Sequence, residues 1–292
     1  MANLLEQIGV IRYYVRAMKV LIFGGKGYMG QEFLNIYPEA VASKADIANC
    51  IEVAEDLDKH KPDVVINAAG KTGRPNIDWC EDHKEETVRS NITGPLVLLD
   101  ECSKRGIYWV QLASGCVYTG DNDGKGYSEE DPPNFSGSFY SRTKAACDNI
   151  LKEFPVLILR LRMPINNSLH ERNLVLKLTK YSRVLDVENS LTYLPDFFKA
   201  AEKLIEARKT GIYHVTNHGK MSPLRIMELY KEIVDPSHTF EKLTLDELPE
   251  VAKAGRSNCV LDNNKLISEG IKMRPVEEAV KEALSVIKGL KG

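Results

Sequence analysis

A glycine-rich turn directly after the first apolar run constrains the fold more than any other feature of this chain. Residues 19–23 read KVLIF, and residues 24–30, GGKGYMG, match G-x-x-G-x-x-G at the start of a helical segment over 28–37. Glycines are required where a backbone turns tightly and approaches a pyrophosphate, and the following helix N-terminus offers free N–H groups to that anion. A tight turn that binds no ligand can have the same sequence, but the position of the motif after the first strand favours a dinucleotide-binding unit.

The rest of the chain alternates apolar runs with helical segments. Strands are predicted at 63–67, 108–113 and 156–161, and helices at 140–153 and at 79–105, the latter with a break near Gly94-Pro95. Continuous apolar runs separated by helices indicate a parallel sheet that is covered on both faces. In the C-terminal part, one strand at 211–215 is surrounded by helical segments at 194–208, 223–234, 245–254 and 276–290.

We therefore predict an α/β fold: a Rossmann-like doubly wound parallel sheet with a smaller, mainly helical C-terminal substrate-binding region. At about 150 residues per domain, the length allows two units. These are an NADP-binding domain over 18–165 and a substrate-binding region over 166–292, whose strand at 211–217 returns to the main sheet. Residues 1–17 form an N-terminal extension that lacks the layout of a cleavable signal, and no function is assigned to it.

Charge and hydropathy argue against several classes of partner. Lys and Arg number 39 against 41 Asp and Glu, and the net charge of −2 argues against nucleic acid, whose binding proteins usually carry a basic excess. No apolar run approaches the ~18 residues of a membrane span, so no membrane partner is expected. The 6 cysteines are scattered without metal-like Cys/His spacing, so we expect no metal and reduced thiols in a cytoplasmic protein.

Small and polar residues after three predicted strands complete a candidate dinucleotide site. NAAG (67–70) ends the strand DVVIN and lets a ligand approach the sheet edge at the switch point. The second strand, predicted at 40–44, carries no acidic residue at its end to bind an unphosphorylated ribose, which favours NADPH over NADH. The predicted cofactor-binding residues are Gly24, Gly27, Tyr28, Met29, Ser43, Lys44, Asp46, Ile47, Asn67, Ala68, Ala69, Gly70, Tyr140 and Lys144.

A Y-x-x-x-K motif at the head of a helix supplies the candidate chemistry. The spacing of Tyr140 and Lys144 puts the phenol and the ammonium on one helix face. The cation is expected to lower the pKa of the tyrosine, which makes it a usable proton donor or acceptor. Ser114 directly follows the strand predicted at 108–113 and can donate a hydrogen bond to a carbonyl there. A pair of surface residues on a helix is the alternative for an isolated Y-x-x-x-K.

In this order, GxxGxxG, NAAG, S-x-C and YxxxK resemble an extended short-chain dehydrogenase/reductase of the dTDP-4-dehydrorhamnose reductase type. The strings TGRPNIDWCE (72–81) and PNFSGSFYS (133–141) are more specific and resemble the plant-type bifunctional nucleotide-4-keto-6-deoxyglucose 3,5-epimerase/4-reductases. The resemblance covers about residues 18–270. It implies that a nucleotide-linked 4-keto-6-deoxy-D-glucose is epimerised at C3 and C5 and that NADPH then reduces C4. A 4,6-dehydratase on another chain would supply the keto sugar, and a homodimer is one open arrangement.

The resemblance also implies roles for individual residues. Tyr140 would protonate the C4 oxygen, Ser114 would orient that carbonyl, and Lys144 would hold the cofactor ribose beside Tyr140. Cys116 matches the epimerisation base, for which a thiolate is competent, although a small buried filler is the alternative. The acid on the other face of the sugar matches Lys177, with His170 and Lys180 as local alternatives.

Substrate contacts follow by position from the same resemblance. Thr72, Arg74, Asn76, Arg162 and Met163 are expected to line the sugar pocket, and the guanidinium fork of Arg256 suits a diphosphate. The choice between UDP and dTDP stays open. So do three alternatives: a 4-reductase without a thiol base, an epimerase that retains its NAD(P), and a non-catalytic NADP-binding subunit like the regulatory subunit of methionine adenosyltransferase.

Overall fold

The centre of the molecule is a six-stranded parallel sheet. The computed structural model describes residues 18–292, and the predicted extension over 1–17 lies outside them. The strand order is β2-β1-β3-β4-β5-β9, with every neighbouring pair parallel. These strands are β1 (Val20–Phe23), β2 (Val41–Ala42), β3 (Val64–Asn67), β4 (Tyr108–Ser114), β5 (Leu157–Leu161) and β9 (Gly211–His214). The predicted doubly wound parallel sheet is confirmed.

Helices cover both faces of the sheet because its strands are apolar on both sides. Val20 and Ile22 of β1 pack into one core cluster with α1 and α8, whereas Leu21 and Phe23 pack into another with α2, α5 and α6. The α-helices are α1 (Tyr28–Ile36), α2 (Cys50–His60), α3 (Trp79–Asp82), α4 (Lys84–Val88), α5 (Gly94–Lys104), α6 (Phe139–Leu151), α7 (Leu174–Leu178), α8 (Leu194–Glu206), α9 (Pro223–Ile233), α10 (Asn264–Ser268) and α11 (Val276–Lys291).

The C-terminal half divides between the sheet and a second core. Strand β9 extends the main sheet next to β5, and α8 packs on the sheet through Phe197 and Leu204. Helices α7, α9 and α11 build a separate apolar cluster beside it. Two small parallel pairs complete this half: β6 (Pro164–Ile165) with β8 (Thr192–Tyr193), and β7 (Arg183–Leu185) with β10 (Glu241–Leu243). Within residues 18–292, no helix is long and apolar enough to cross a membrane.

Local details of the helices and short strands differ from the sequence predictions. The helix expected at 79–105 has a π-helical turn over Arg89–Thr93, directly before Gly94, where a break was predicted, and it is also interrupted at His83, which was not predicted. Pro95 lies in the first turn of α5, where its missing N–H is tolerated. The helix expected at 245–254 is a single 3₁₀ turn, Leu248–Glu250, which contains Pro249. The four short strands β6, β7, β8 and β10 were not predicted, because two or three residues give no clear alternation.

Candidate active site

The main cavity opens at the carboxyl ends of the central strands. It has a volume of about 480 Å³ and is lined by residues that follow β1, β3, β4 and β5, among them Gly27, Gly70, Ser114 and Arg162. The chain turns to opposite sides of the sheet between β1 and β3, so the cavity includes the switch point where open α/β sheets bind ligands.

The glycine turn forms an open cradle at this edge. Gly24 has φ +78°, and a Cβ there would lie 2.4 Å from the Ala69 nitrogen, so only glycine allows the turn to cross β3 so closely. Gly27 caps α1 without a side-chain hydrogen bond, which leaves the first N–H groups of the helix unpaired toward the cavity. Tyr28 and Met29 line the cavity as well. This arrangement fits the pyrophosphate of a dinucleotide.

The end of β3 contributes small residues and an internal brace. Ala68, Ala69 and Gly70 line the cavity. Asn67 does not: its side chain donates to Gln111 Oε1 at 2.8 Å and accepts from the Ala69 nitrogen at 3.0 Å, so it fixes the turn. Asn91, in the π-helical turn, holds Lys71, the residue that follows Gly70. Its side chain accepts a hydrogen bond from the Lys71 nitrogen and donates one to the Lys71 oxygen.

The residues predicted near the adenine and ribose lie outside the lining of the main cavity. Ser43 Oγ donates to Asp56 Oδ2 at 2.6 Å, and Lys44 follows it on the surface side of β2. Asp46 forms an ion pair with Arg89 at 2.8 Å. Ile47 is buried, and it occupies the place that a Cβ on Gly94 would take. The structure therefore places these four residues beside β2, where no acidic side chain directly follows the strand.

Ser114, Tyr140 and Lys144 come together at the cavity floor. Ser114 ends β4, and its side chain contacts the phenol of Tyr140. Tyr140 lies in the first turn of α6, which Ser138 caps. The ammonium of Lys144 donates to the Leu112 carbonyl at 3.0 Å.

The expectation of a lowered pKa for Tyr140 was wrong: in the structure this pKa is raised. Burial raises the pKa of Tyr140 well above its usual value, and the neighbouring Cys116 adds to this, while the hydrogen bond with Ser114 opposes it. Tyr140 therefore carries a proton that it can donate at neutral pH, and its raised pKa makes it a weaker acid than an ordinary phenol.

Cys116 has a cationic partner that the sequence did not reveal. It lies in a 3₁₀ turn, Gly115–Val117, and its backbone nitrogen donates to Ser114 Oγ at 3.2 Å. Arg162 Nη1 donates to Cys116 Sγ at 3.0 Å. The next residue, Met163, lines the cavity and has φ +44°, an uncommon conformation for a residue with a side chain.

Cationic side chains line the opposite wall. Lys177 of α7 faces the cavity, and burial, assisted by Arg172, lowers its pKa. His170 also lines the cavity and stacks on the Tyr28 ring at 4.3 Å. Lys180 lines only an adjoining cavity of about 540 Å³, which it shares with Lys177. Of the three candidate acids, the structure brings Lys177 and His170 to the main cavity.

The predicted substrate residues divide into two groups. Thr72 and Arg74 line the main cavity, as Arg162 and Met163 do. Asn76 and Arg256 do not: Asn76 Oδ1 accepts from the Asp78 nitrogen, and the Arg256 guanidinium is paired with the Asp78 carboxylate at 2.8 Å.

Arg172 was missed as a site residue. Its Nη1 donates to Thr72 Oγ1 at 3.2 Å and to the Gly73 oxygen at 3.1 Å, and it lines both cavities. The Arg-Asn pair at 172–173 could have indicated Arg172 from the sequence, because Asn173 is a typical helix N-cap and Arg172 directly precedes it at the start of α7.

A doubly wound sheet with a glycine cradle and a Ser-Tyr-Lys group at its carboxyl edge defines the class of extended short-chain dehydrogenases/reductases. Within that class, the chain belongs to the family described as RmlD substrate binding domain, whose model matches residues 18–288. The predicted relation to dTDP-4-dehydrorhamnose reductases is thereby confirmed.

Individual relatives agree with this membership. The chain is 42% identical, over 78% of its own length and 78% of the relative's, to the bifunctional dTDP-4-dehydrorhamnose 3,5-epimerase/dTDP-4-dehydrorhamnose reductase of Arabidopsis thaliana. It is 36% identical to a trifunctional UDP-glucose 4,6-dehydratase/UDP-4-keto-6-deoxy-D-glucose 3,5-epimerase/UDP-4-keto-L-rhamnose-reductase of the same plant, of which it spans 41%.

Solved structures match as well. The UDP-rhamnose synthase of Acanthamoeba polyphaga mimivirus superimposes with a TM-score of 0.87 at 32% identity, covering 92% of this chain and 99% of that one. The dTDP-4-dehydrorhamnose reductase of Bacillus anthracis, solved in complex with NADP, gives a TM-score of 0.78 at 21% identity, covering 91% of this chain and 96% of that one. At that identity the second match shows the shared fold.

Proposed function

We propose that the protein is an NADPH-dependent enzyme that converts UDP- or dTDP-4-keto-6-deoxy-D-glucose to the nucleotide-linked L-rhamnose by 3,5-epimerisation and 4-keto reduction. The observation that carries this proposal is the meeting of two sets of groups at one cavity: Ser114, Tyr140 and Lys144 for reduction, and Cys116 and Lys177 for epimerisation. Both sets lie at the switch point of the sheet, where the cradle would hold a dinucleotide.

The glycine cradle and the N-terminus of α1 would hold the pyrophosphate of NADPH, which when bound supplies the hydride for C4. The absence of an acidic side chain directly after β2 leaves room for a 2′-phosphate, and Lys44 lies at that point. Complexes of two more distant relatives with NADP and NADPH support the same choice. Lys144 keeps two further donors on its ammonium for the ribose hydroxyls.

Reduction requires a proton at the C4 oxygen as the hydride arrives at C4. Tyr140 is the donor, because its phenol carries a proton at neutral pH and lies beside Ser114 at the cavity floor. Ser114 binds the same oxygen and holds it within reach of the phenol. General acid catalysis of this kind contributes roughly 10²–10⁴-fold to a rate.

Epimerisation uses the acidity that the C4 ketone gives to the protons on C3 and C5. The thiolate of Cys116 removes the proton, the electron pair passes to the C4 oxygen as an enolate, and an acid on another wall returns a proton to carbon. Lys177 is that acid: it comes from α7 and lines the same cavity, and burial lowers its pKa, which makes the ammonium a better donor. His170 is the alternative donor from the same wall.

The rest of the substrate extends toward the adjoining cavity. Arg74, Arg172 and Lys180 line it and provide the positive charge that a nucleoside diphosphate needs. Relatives named for UDP sugars and for dTDP sugars are both similar to this chain, so both nucleotides belong to the proposal. The trifunctional relatives carry a dehydratase activity in the same chain, which supports a dehydratase as the functional partner here.

A 4-reductase without epimerase activity is the second candidate. Relatives that are 26% and 28% identical, from Aggregatibacter actinomycetemcomitans and Salmonella typhimurium, are named only as dTDP-4-dehydrorhamnose reductases. A non-catalytic regulatory subunit has less support, because it would not need Ser114, Tyr140 and Lys144 in one cavity.

The experiment is incubation with each nucleotide 4-keto-6-deoxyglucose in D₂O, with and without NADPH, followed by NMR. We expect deuterium at C3 and C5 without NADPH, and a rhamnosyl product with it. Cys116→Ser should lose the exchange, while Cys50→Ser, a change at an exposed thiol outside the cavity, should retain it. Reduction without exchange would indicate a 4-reductase without epimerase activity. The absence of both reactions would contradict the proposed function.

A further inference from the structure

Arg162 is a buried cation with no carboxylate partner. It is 5% exposed, and among residues 18–292 it forms no ion pair with an aspartate or glutamate. Its Nη2 donates to Asn189 Oδ1 and to the Ser257 carbonyl, both of which are neutral. A buried charge is normally paired, because its desolvation is otherwise too costly.

Arg160, two residues earlier in the chain, shows the ordinary solution. It is 2% exposed, and its Nε lies 2.9 Å from Asp148 Oδ2, a carboxylate that is fully buried. For Arg162, the Cys116 sulfur, 3.0 Å from Nη1, stands where a carboxylate partner would be expected. The two arginines therefore differ in the chemical kind of their partner and not in their burial.

The other ionisable groups near Arg162 are not suited to be its counter-ion. Burial raises the pKa of Cys259, whose thiol donates to the Gly115 carbonyl. Burial likewise raises the pKa of Tyr140. Both groups therefore stay neutral near pH 7, and neither supplies a negative charge to Arg162. The titratable and charged groups that lie near Cys116 or line the same cavity are Arg162, Tyr140, Cys259, Lys144, Lys177, Lys26, Tyr28, Arg74, His170, Glu171 and Arg172.

We infer that Arg162 is a positioning residue for epimerisation: it supplies the positive charge beside the Cys116 sulfur and aims that sulfur into the cavity. This inference deepens the proposed function and rests on it for the role of the thiolate. Asn189 and Ser257 fix the far side of the guanidinium, so the fork has one orientation in which Nη1 meets the sulfur.

This arrangement also separates the base proposed for epimerisation, Cys116, from the acid proposed for reduction, Tyr140. A negative charge on Cys116 disfavours a second one on Tyr140, and that effect acts in the same direction as burial on the pKa of the phenol. The same cavity thus holds a base and, beside it, a protonated acid. Neighbouring groups whose environments push their proton affinities apart are a general way to assign such roles.

The test measures the charge of Cys116 without any sugar. The alkylation rate of each cysteine by iodoacetamide is followed against pH by peptide mass spectrometry, because only the thiolate reacts. The wild-type Cys116 profile is compared with that of Cys116 in the same protein unfolded in urea and with the profiles in Arg162→Gln and Arg162→Lys. Exposed Cys50 is the internal reference for reagent activity.

We expect native Cys116 to be alkylated at lower pH than Cys116 in urea, because a positive charge 3.0 Å from the sulfur stabilises the reacting thiolate. Arg162→Gln should lower the alkylation rate of Cys116 at neutral pH by about tenfold, and Arg162→Lys should recover part of that rate. NADPH affinity and a melting curve establish that each variant is folded.

A native Cys116 profile that coincides with the urea profile would overturn the inference, even if Arg162→Gln does not fold. An unchanged alkylation rate of Cys116 in a folded Arg162→Gln would overturn it too. Failure of the proposed function looks different: Cys116 would alkylate as a thiolate, yet deuterium exchange into the sugar would be absent or independent of Cys116.

Discussion

Replacing Gly30 with alanine tests how closely the glycine turn and α1 must fit. A Cβ on Gly30 would lie 2.2 Å from the Gly24 carbonyl oxygen and 2.8 Å from the Gly25 Cα, and both contacts are with backbone that cannot rotate away. Overpacking of this kind costs about 1–3 kcal/mol, whereas alanine in a helix returns about 0.5–1 kcal/mol over glycine. We expect Gly30→Ala to lose roughly 1–2 kcal/mol of unfolding free energy.

Gly289 in α11 provides a matched control, because it is also helical and a Cβ there would have no atom within 4 Å. Gly289→Ala should gain up to about 0.5–1 kcal/mol, so the two substitutions should differ in sign. Urea unfolding gives both values.

Cofactor affinity gives a second readout of the same change. Displacement of the 24–25 turn moves the cradle that would hold the pyrophosphate, so NADPH affinity of Gly30→Ala should fall at least about tenfold, or about 1.4 kcal/mol. Fluorescence titration with NADPH measures it, and Gly289→Ala should bind as the wild type does. A Gly30→Ala protein that is more stable than the wild type and binds NADPH equally would refute this reading of the turn.

Three further predictions concern the cavity and the core. Tyr140→Phe should lower the rate of NADPH consumption by about 10²–10⁴-fold while the NADPH affinity changes little; an active variant would remove Tyr140 from the role of proton donor. Lys177→Met should slow deuterium exchange into the sugar without weakening NADPH binding, and a change confined to NADPH binding would place Lys177 outside the sugar site. Burial lowers the pKa of His214 to about 3 from 6.5, so its contribution to stability is complete above pH 6.5 and is lost as the pH falls toward 3, by at most about 1.4 kcal/mol per pH unit. Urea unfolding between neutral and mildly acidic pH should show this slope, and His214→Gln, which cannot titrate, should show a shallower one.

The main sheet could be predicted because its signals are local. The apolar runs of β1, β3, β4 and β5 and the glycine turn each lie within a few residues, and each agrees with its neighbours in the fold. The π-helical turn and the short strand pairs depend on tertiary contacts that no window of sequence contains. The packing of α8 on the sheet also depends on tertiary contacts, since Phe197 of α8 contacts Phe33 of α1, which is distant in the sequence.

The positions of the site residues could be predicted from the sequence, but their charged contacts and pKa values could not. Strand ends and the Y-x-x-x-K spacing placed Ser114, Cys116, Tyr140 and Lys144 at one edge. The contact of Arg162 with Cys116 joins residues that are 46 positions apart, and the pKa of Tyr140 depends on its burial in the folded chain. Neither can be read from spacing alone.

The most direct test of the proposed reduction traces the hydride itself. NADPH deuterated at the transferable position of the nicotinamide is incubated with the 4-keto-6-deoxy nucleotide sugar and the wild-type protein in ordinary water, and the product is examined by NMR. Deuterium at C4 of a rhamnosyl product, with one NADPH consumed per sugar, is the result we predict. Deuterium absent from C4, or a sugar converted without consumption of NADPH, would contradict reduction at this cavity.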